Sequence, residues 1–183
     1  IWGSDWAGLK NFEFLFKNST AWVITRNTIL YNLLFIALNT VIGVCIAILL
    51  NEVRKKTALK IYQTVILLPY LFSMIIISYV VFGFLSTDTG LLNKGILQPL
   101  GMASVSWYNE AKYWPIILPI VNTWKAFGFQ SIIFFATVVA IDNSYFEAAQ
   151  LDGAGNMRIF FRIALPMTVP VIVLSLVFSL VWY

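Results

Sequence analysis

Histidine is absent from the 183 residues, and cysteine occurs once, at Cys45, inside a long apolar run. Without an imidazole the usual proton shuttles and zinc sites have nothing to build on, and one cysteine can form neither an internal disulfide nor a metal cluster. No metal site is therefore expected. Charge is scarce too: Asp, Glu, Lys and Arg make up 11% of the chain, against about a quarter in soluble domains. So little polar surface cannot cover a water-soluble globule of this length. The phosphate-binding pattern Gly-x-x-x-x-Gly-Lys-Ser/Thr is missing as well, which removes the commonest route to ATP binding by the chain itself. A net charge of +4 does not signal nucleic acid, because the basic residues form no extended patch with interleaved aromatics.

What the chain has in abundance is apolar surface: 60% of its residues are hydrophobic and 16% aromatic, and the charges sit in short clusters between uncharged runs. Four runs are long enough to cross about 30 Å of hydrocarbon as helices, at about 27–51, 61–87, 113–141 and 163–183. Pro69, Pro115 and Pro119 fall within them and predict kinks more than breaks, since neighbours can satisfy the carbonyls that proline frees. The connector 51–60 carries Arg54, Lys55, Lys56 and Lys60 against Glu52 alone, which marks it as cytoplasmic. Alternation then places 86–112 outside and 142–162 inside. In the outer segment Trp107, Tyr108, Tyr113 and Trp114 gather near the next span, at the level where aromatics anchor to headgroups; stacking on a sugar is the sharper alternative. Starting at Ile1 and stopping within an apolar stretch at Tyr183, the chain reads as one transmembrane domain, 1–183, trimmed at both ends.

The segment 142–162 is polar, yet it carries helix-start signals and periodic apolar residues. Ser144 stands three residues before Glu147, the spacing of a capping box; Ala148 and Ala149 favour helix, and Gly153 and Gly155 allow a turn. A second short helix is expected through Met157, Phe160 and Phe161, leading into a span opened by Pro166. A surface helix with small residues can seat closely against a partner and pass that partner's movement to the spans beside it.

The string Glu147-Ala148-Ala149, Asp152-Gly153-Ala154, Phe160 and Ile163-Ala164-Leu165-Pro166 resembles the signature loop of binding-protein-dependent ABC importer permeases: Glu-Ala-Ala, a glycine four residues later, and Ile-x-Leu-Pro downstream. Weaker matches to the sugar branch are Gly8-Leu9-Lys10-Asn11-Phe12, Phe14-Leu15-Phe16, Asn27-Thr28, Leu68-Pro69, Gly90-Leu91-Leu92-Asn93, and Trp124 with Gly128. The resemblance implies an all-α polytopic membrane domain of the type I importer kind in the bacterial cytoplasmic membrane. It also implies that Glu147, Ala148, Ala149, Asp152, Gly153, Ala154, Arg158 and Pro166 belong to a loop that couples to a separate ATPase. Further implied partners are a second permease subunit, giving a heterodimer, an extracytoplasmic solute-binding protein, and a sugar or oligosaccharide. ATP and Mg would sit on the ATPase, so this chain would carry no cofactor and no catalytic residue.

For the translocation pathway the candidates are Asn122, Trp124 and Lys125. Lys125 is the one charge deep in the third run, and such groups usually face a protein interior or a cavity. It reads either as a contact for sugar hydroxyls or a sugar carboxylate, or as a cation that snorkels or bonds a carbonyl freed by Pro119. Asn32 and Asn39 share one face of the first run and read as helix glue, as do Ser73 and Ser78 in the second. A permease for a non-sugar solute is the alternative reading. An ion-coupled transporter or an intramembrane enzyme fits less well, because no span contains an acid.

Overall fold

The computed structural model describes residues 19–182 and is helical in all its regular elements. The matches at Gly8 to Phe12 and Phe14 to Phe16 lie outside the described residues. Helix α1 spans Ser19–Asn51, starting eight residues before the uncharged run. Its first turns are polar: Thr25 donates to the Ala21 carbonyl, and the Arg26 guanidinium reaches the Asn27 side chain. Side chains that satisfy themselves locally let a helix continue past the point where hydropathy falls.

The run at 61–87 is not one continuous helix. It forms α2, Lys56–Leu71, and α3, Met74–Leu85, bent 96° from each other. Pro69 lies inside the last turn of α2, and the chain breaks after it, where Phe72 and Ser73 adopt extended backbone. Proline removes a donor and crowds the preceding turn, and Ser73 fixes the restart by accepting from the Ile76 amide at 3.4 Å. Helix α4, Trp114–Val139, takes Pro115 in its first turn and carries Pro119 within its length without a break. Helix α5, Asn143–Leu151, is short. The expected second short helix is instead the start of the last long one: α6, Asn156–Ile159, runs through a π turn, Phe160–Ala164, into α7, Leu165–Trp182. Pro166 cannot donate back to residue 162, and the widened turn before it, with the Leu165 amide on the Phe160 carbonyl, absorbs that gap.

Helix α4 is the centre of the packing. Asn39 of α1 donates to Asn122 of α4 at 3.1 Å, and further along Gly43 lies against Gln130 and Phe134, so α1 and α4 run parallel. Helix α2 crosses α4 in the opposite sense, with Ile66 at Gly128 and Tyr70 at Lys125. The α1–α2 connector and the α4–α5 connector therefore lie on the same side. Phe134, Val138, Ile36, Ala47 and Ser131 are buried along this seam, while large apolar side chains such as Leu33, Val65, Ile120 and Val177 face outward. That reversal of the usual soluble pattern suits lipid or neighbouring helices. Among the described residues, three helices are long and apolar enough to cross a membrane, or four if the bent pair counts as one.

At Gly128 a Cβ would stand 1.8 Å from the Ile66 carbonyl oxygen, so only glycine permits this crossing. Gly128→Ala is expected to lower thermal stability in detergent by about 3 kcal/mol through overpacking, whereas Gly83→Ala, with nothing within 4 Å of the added Cβ, should leave it unchanged. Equal melting temperatures for the two variants would show that the α2–α4 crossing is looser than described.

Candidate coupling helix and translocation cleft

Helix α5 begins at Asp142, whose carboxylate accepts from the Ser144 amide at 2.9 Å. Asp142, and not Ser144, is therefore the cap; Asp preceding a helix was an equally good signal, but the Ser144–Glu147 spacing obscured it. The helix ends with Gly153 at φ +73°, the Gly153 amide on the Gln150 carbonyl and the Ala154 amide on the Ala149 carbonyl. These two bonds are a Schellman motif, which reverses the chain within a few residues and demands a left-handed residue where Gly153 stands. No side chain of α5 is buried. Glu147, Ala148, Asp152, Gly153 and Arg158 are exposed, Ala149 and Ala154 half-exposed, and Leu151 is 89% exposed beside open Tyr145 and Met157. The loop thus presents a mixed apolar and polar surface. Pro166 lies apart from it, beyond the π turn, where it shapes the start of α7.

A cleft of about 560 Å³ opens between α1, α2, α4 and α7, lined by Asn39, Tyr70, Phe129, Gln130, Ser175 and Phe178 among others. Tyr70 and Phe129 stack with centroids 4.5 Å apart. Of the three candidates from sequence, Asn122 is engaged by Asn39, and Trp124, 36% exposed, is not part of the cleft wall. Lys125, like Trp124, is not part of the cleft wall, but it contacts Tyr70, which is. Its Nζ donates to the Tyr70 and Phe72 carbonyls at 3.2 and 2.8 Å and lies 5.7 Å from the centre of the Tyr70 ring. The carbonyls it satisfies are those freed at the α2–α3 break, not one freed by Pro119. Gln130 was not singled out from sequence, because its place in the wall depends on the α1–α4 crossing.

The segment 86–112, between α3 and α4, is organised by Asn93, which is 0% exposed. Its Nδ2 donates to the carbonyls of Ser86, Thr87 and Val105, and its Oδ1 accepts from the Val105 amide and Trp107 Nε1, at 2.8 to 3.3 Å. The four aromatics pack on one another and on Phe82: Phe82 with Tyr108, Trp107 with Tyr113, and Tyr108 with Trp114. No local pattern separates such a hub asparagine from a loop asparagine.

The sequence profile of the family described as "Binding-protein-dependent transport system inner membrane component" matches residues 39–183. The chain belongs to that family. As such it is a multi-pass membrane protein. Over 98% of its length it is 35% identical to the polygalacturonan/rhamnogalacturonan transport system permease protein YteP of Bacillus subtilis (strain 168), of which it covers 56%. To Protein LplB of the same organism it is 32% identical, covering 55% of that protein. It superposes with a TM-score of 0.90 and 31% identity on a chain of a bacterial ABC transporter involved in the import of the acidic polysaccharide alginate, covering 98% of this chain and 62% of that one. The chain thus spans a little over half the length of these relatives. Helix α5 carries Glu147-Ala148-Ala149, the opening of the string that resembles the family's signature loop.

Two outcomes follow for this permease domain. Asn93→Ala leaves several buried polar groups without partners and should destabilise the outer segment by about 3 kcal/mol, read as faster proteolysis within 86–112; unchanged cleavage would deny Asn93 its role as hub. The Ser144 amide holds the Asp142 carboxyl below its usual value of 3.8. A lowered folded value means that the cap's contribution is present above pH 3.8 and is lost as pH falls through the still lower folded value. Protection of the Ser144 amide from hydrogen exchange should fade in that acid window, and Asp142→Asn should abolish the pH dependence while keeping a cap.

Proposed function

We propose that the chain is the larger part of a permease subunit of an ATP-driven importer in the bacterial cytoplasmic membrane, carrying a sugar or oligosaccharide. The observation that carries this reading is α5: an exposed, firmly terminated helix bearing Glu147-Ala148-Ala149, the opening of the string that runs on to Pro166, set between two helices that wall the cleft. Support comes also from relatives named for polygalacturonan/rhamnogalacturonan and sulfoquinovosyl glycerol transport. A crystal structure described as a bacterial alginate ABC transporter in complex with an alginate pentasaccharide-bound periplasmic protein, with a TM-score of 0.88, points the same way.

In this reading Glu147, Ala148, Ala149, Asp152, Gly153, Ala154 and Arg158 form the contact with a partner ATPase, which holds ATP and Mg and performs the hydrolysis; this chain is not an enzyme. A second permease subunit, differing in sequence, completes the pathway, and an extracytoplasmic binding protein delivers the solute. The basic connector between α1 and α2 supports a cytoplasmic position for α5, since the two connectors share a face. The bent pair α2–α3 counts as one span.

The geometry gives the coupling a mechanical path. Helix α5 is joined through Asp142 to α4 and through a short turn at Gly153 to α6 and α7. Closure of the ATPases on ATP would draw α5 with them, and because Gly153 holds a fixed Schellman turn, displacement of α5 is delivered to α4 and α7 instead of being lost in a slack loop. Those helices form two walls of the cleft, so its opening alternates between the two sides of the membrane.

The test is co-purification of the ATPase with the full-length permease. Gly153→Pro removes the donor to Gln150 and cannot adopt positive φ, and Glu147→Lys reverses a surface charge. Each should lower the recovered ATPase about tenfold while membrane insertion is retained. Full recovery with both variants would place the docking site elsewhere.

A further inference from the structure

We propose, building on the sugar-import reading, that the cleft accepts a carboxylate-bearing sugar unit, a uronic acid, with Lys125 as the residue that selects its charge. Three observations converge. First, no Asp or Glu occurs in α1, α2, α3, α4 or α7. The charge of Lys125, near the middle of α4, is met by the Tyr70 and Phe72 carbonyl dipoles and by the face of the Tyr70 ring, and by no anion among the described residues. A cation at membrane depth without a counter-charge is costly, and a mobile anion relieves that cost. An ammonium has three donors; two point at these carbonyls, which leaves one for a ligand.

Second, the wall next to Lys125 offers what a sugar ring needs. Tyr70 lies under the ammonium and also lines the cleft, stacked on Phe129, so an apolar aromatic surface begins where the charge ends. Sugar rings combine an apolar face with a polar edge and suit such a border.

Third, Gln130 lines the cleft with an amide that bonds no described residue. Its stem is held against α1, where a Cβ on Gly43 would come within 3.0 Å of the Gln130 Cγ, so the side chain is positioned although its amide is uncommitted. An amide has both donors and an acceptor and so matches a sugar hydroxyl. A carboxylate fits better than a phosphate, because one ammonium with one spare donor matches a monoanion, whereas phosphate sites usually gather several donors.

The pathway is tested by saturation-transfer NMR on the full transporter in lipid nanodiscs, without binding protein. The probes are digalacturonate, its neutral counterpart galactobiose, which differs only at C6, and glycerol 3-phosphate. Digalacturonate should bind about tenfold more tightly than galactobiose, the ratio expected for one charge-assisted hydrogen bond. Lys125→Gln should bring the two sugars to parity, Lys125→Arg should retain the preference, and Gln130→Leu should weaken both sugars alike. Raising salt should reduce the digalacturonate preference in the unaltered protein, a readout that needs no variant to fold. A preference that survives Lys125→Gln, or its absence in the unaltered protein while galactobiose binds, overturns the role of Lys125 and leaves the sugar pathway standing. Tighter binding of glycerol 3-phosphate than of digalacturonate overturns the carboxylate. Binding of neither sugar overturns the pathway itself and this inference with it.

Discussion

The contact on which the rest of the structure depends is the crossing of α2 and α4 at Gly128. A glycine there lets the α4 backbone come against the Ile66 carbonyl, and one helical turn away the same closeness brings Lys125 to the end of α2. Helix α2 needs that help. Its last carbonyls lose their helical partners where the chain turns 96° between Leu71 and Met74, and in a membrane there is no water to take them. Lys125 supplies the donors for Tyr70 and Phe72. Small residue, broken helix and half-buried cation thus form one unit: without the glycine the helices stand off, and without the cation the break has unsatisfied carbonyls.

The same crossing sets the cleft. Tyr70 reaches Phe129 because α2 lies against α4, and Gln130 reaches the cleft because Gly43 admits it between α1 and α4. Helices α1, α2 and α4 are tied together by Asn39–Asn122 and by Lys125, whereas α7 is joined to α4 in sequence through the short exposed α5. A transporter needs that division, since a cleft with four locked walls could not open to alternate sides.

Much of this was legible in one dimension. The absence of charge over long stretches marked where helices α1, α4 and α7 lie, since burying an unpaired charge in hydrocarbon is costly for any fold. Glu147 to Pro166 was recognisable because both turn chemistry and a surface helix leave marks at fixed spacings: Gly153 stands where a left-handed residue is required. Other features were visible but misassigned. Pro69 announced a disturbance, yet proline chemistry alone does not say whether a helix bends or breaks; that depended on Ser73 restarting α3 and on Lys125 arriving from α4. The Ser144–Glu147 spacing suggested a capping box, whereas Asp142 holds the cap, because the helix entry angle is set by how α4 ends.

The sequence by itself determined the solvent, the helical class, the polarity of the connectors and the family signature, all of which follow from local composition and short-range spacing. Only the tertiary structure decided what Asn93, Gly128, Lys125 and Gln130 do. Gly128, Lys125 and Gln130 act on groups distant in the chain, Lys125 on residues 53 and 55 positions away, and Asn93 on groups 6 to 14 positions away. A single asparagine, glycine, lysine or glutamine carries no mark of the partner that folding will bring to it, so their roles appear only when the helices cross.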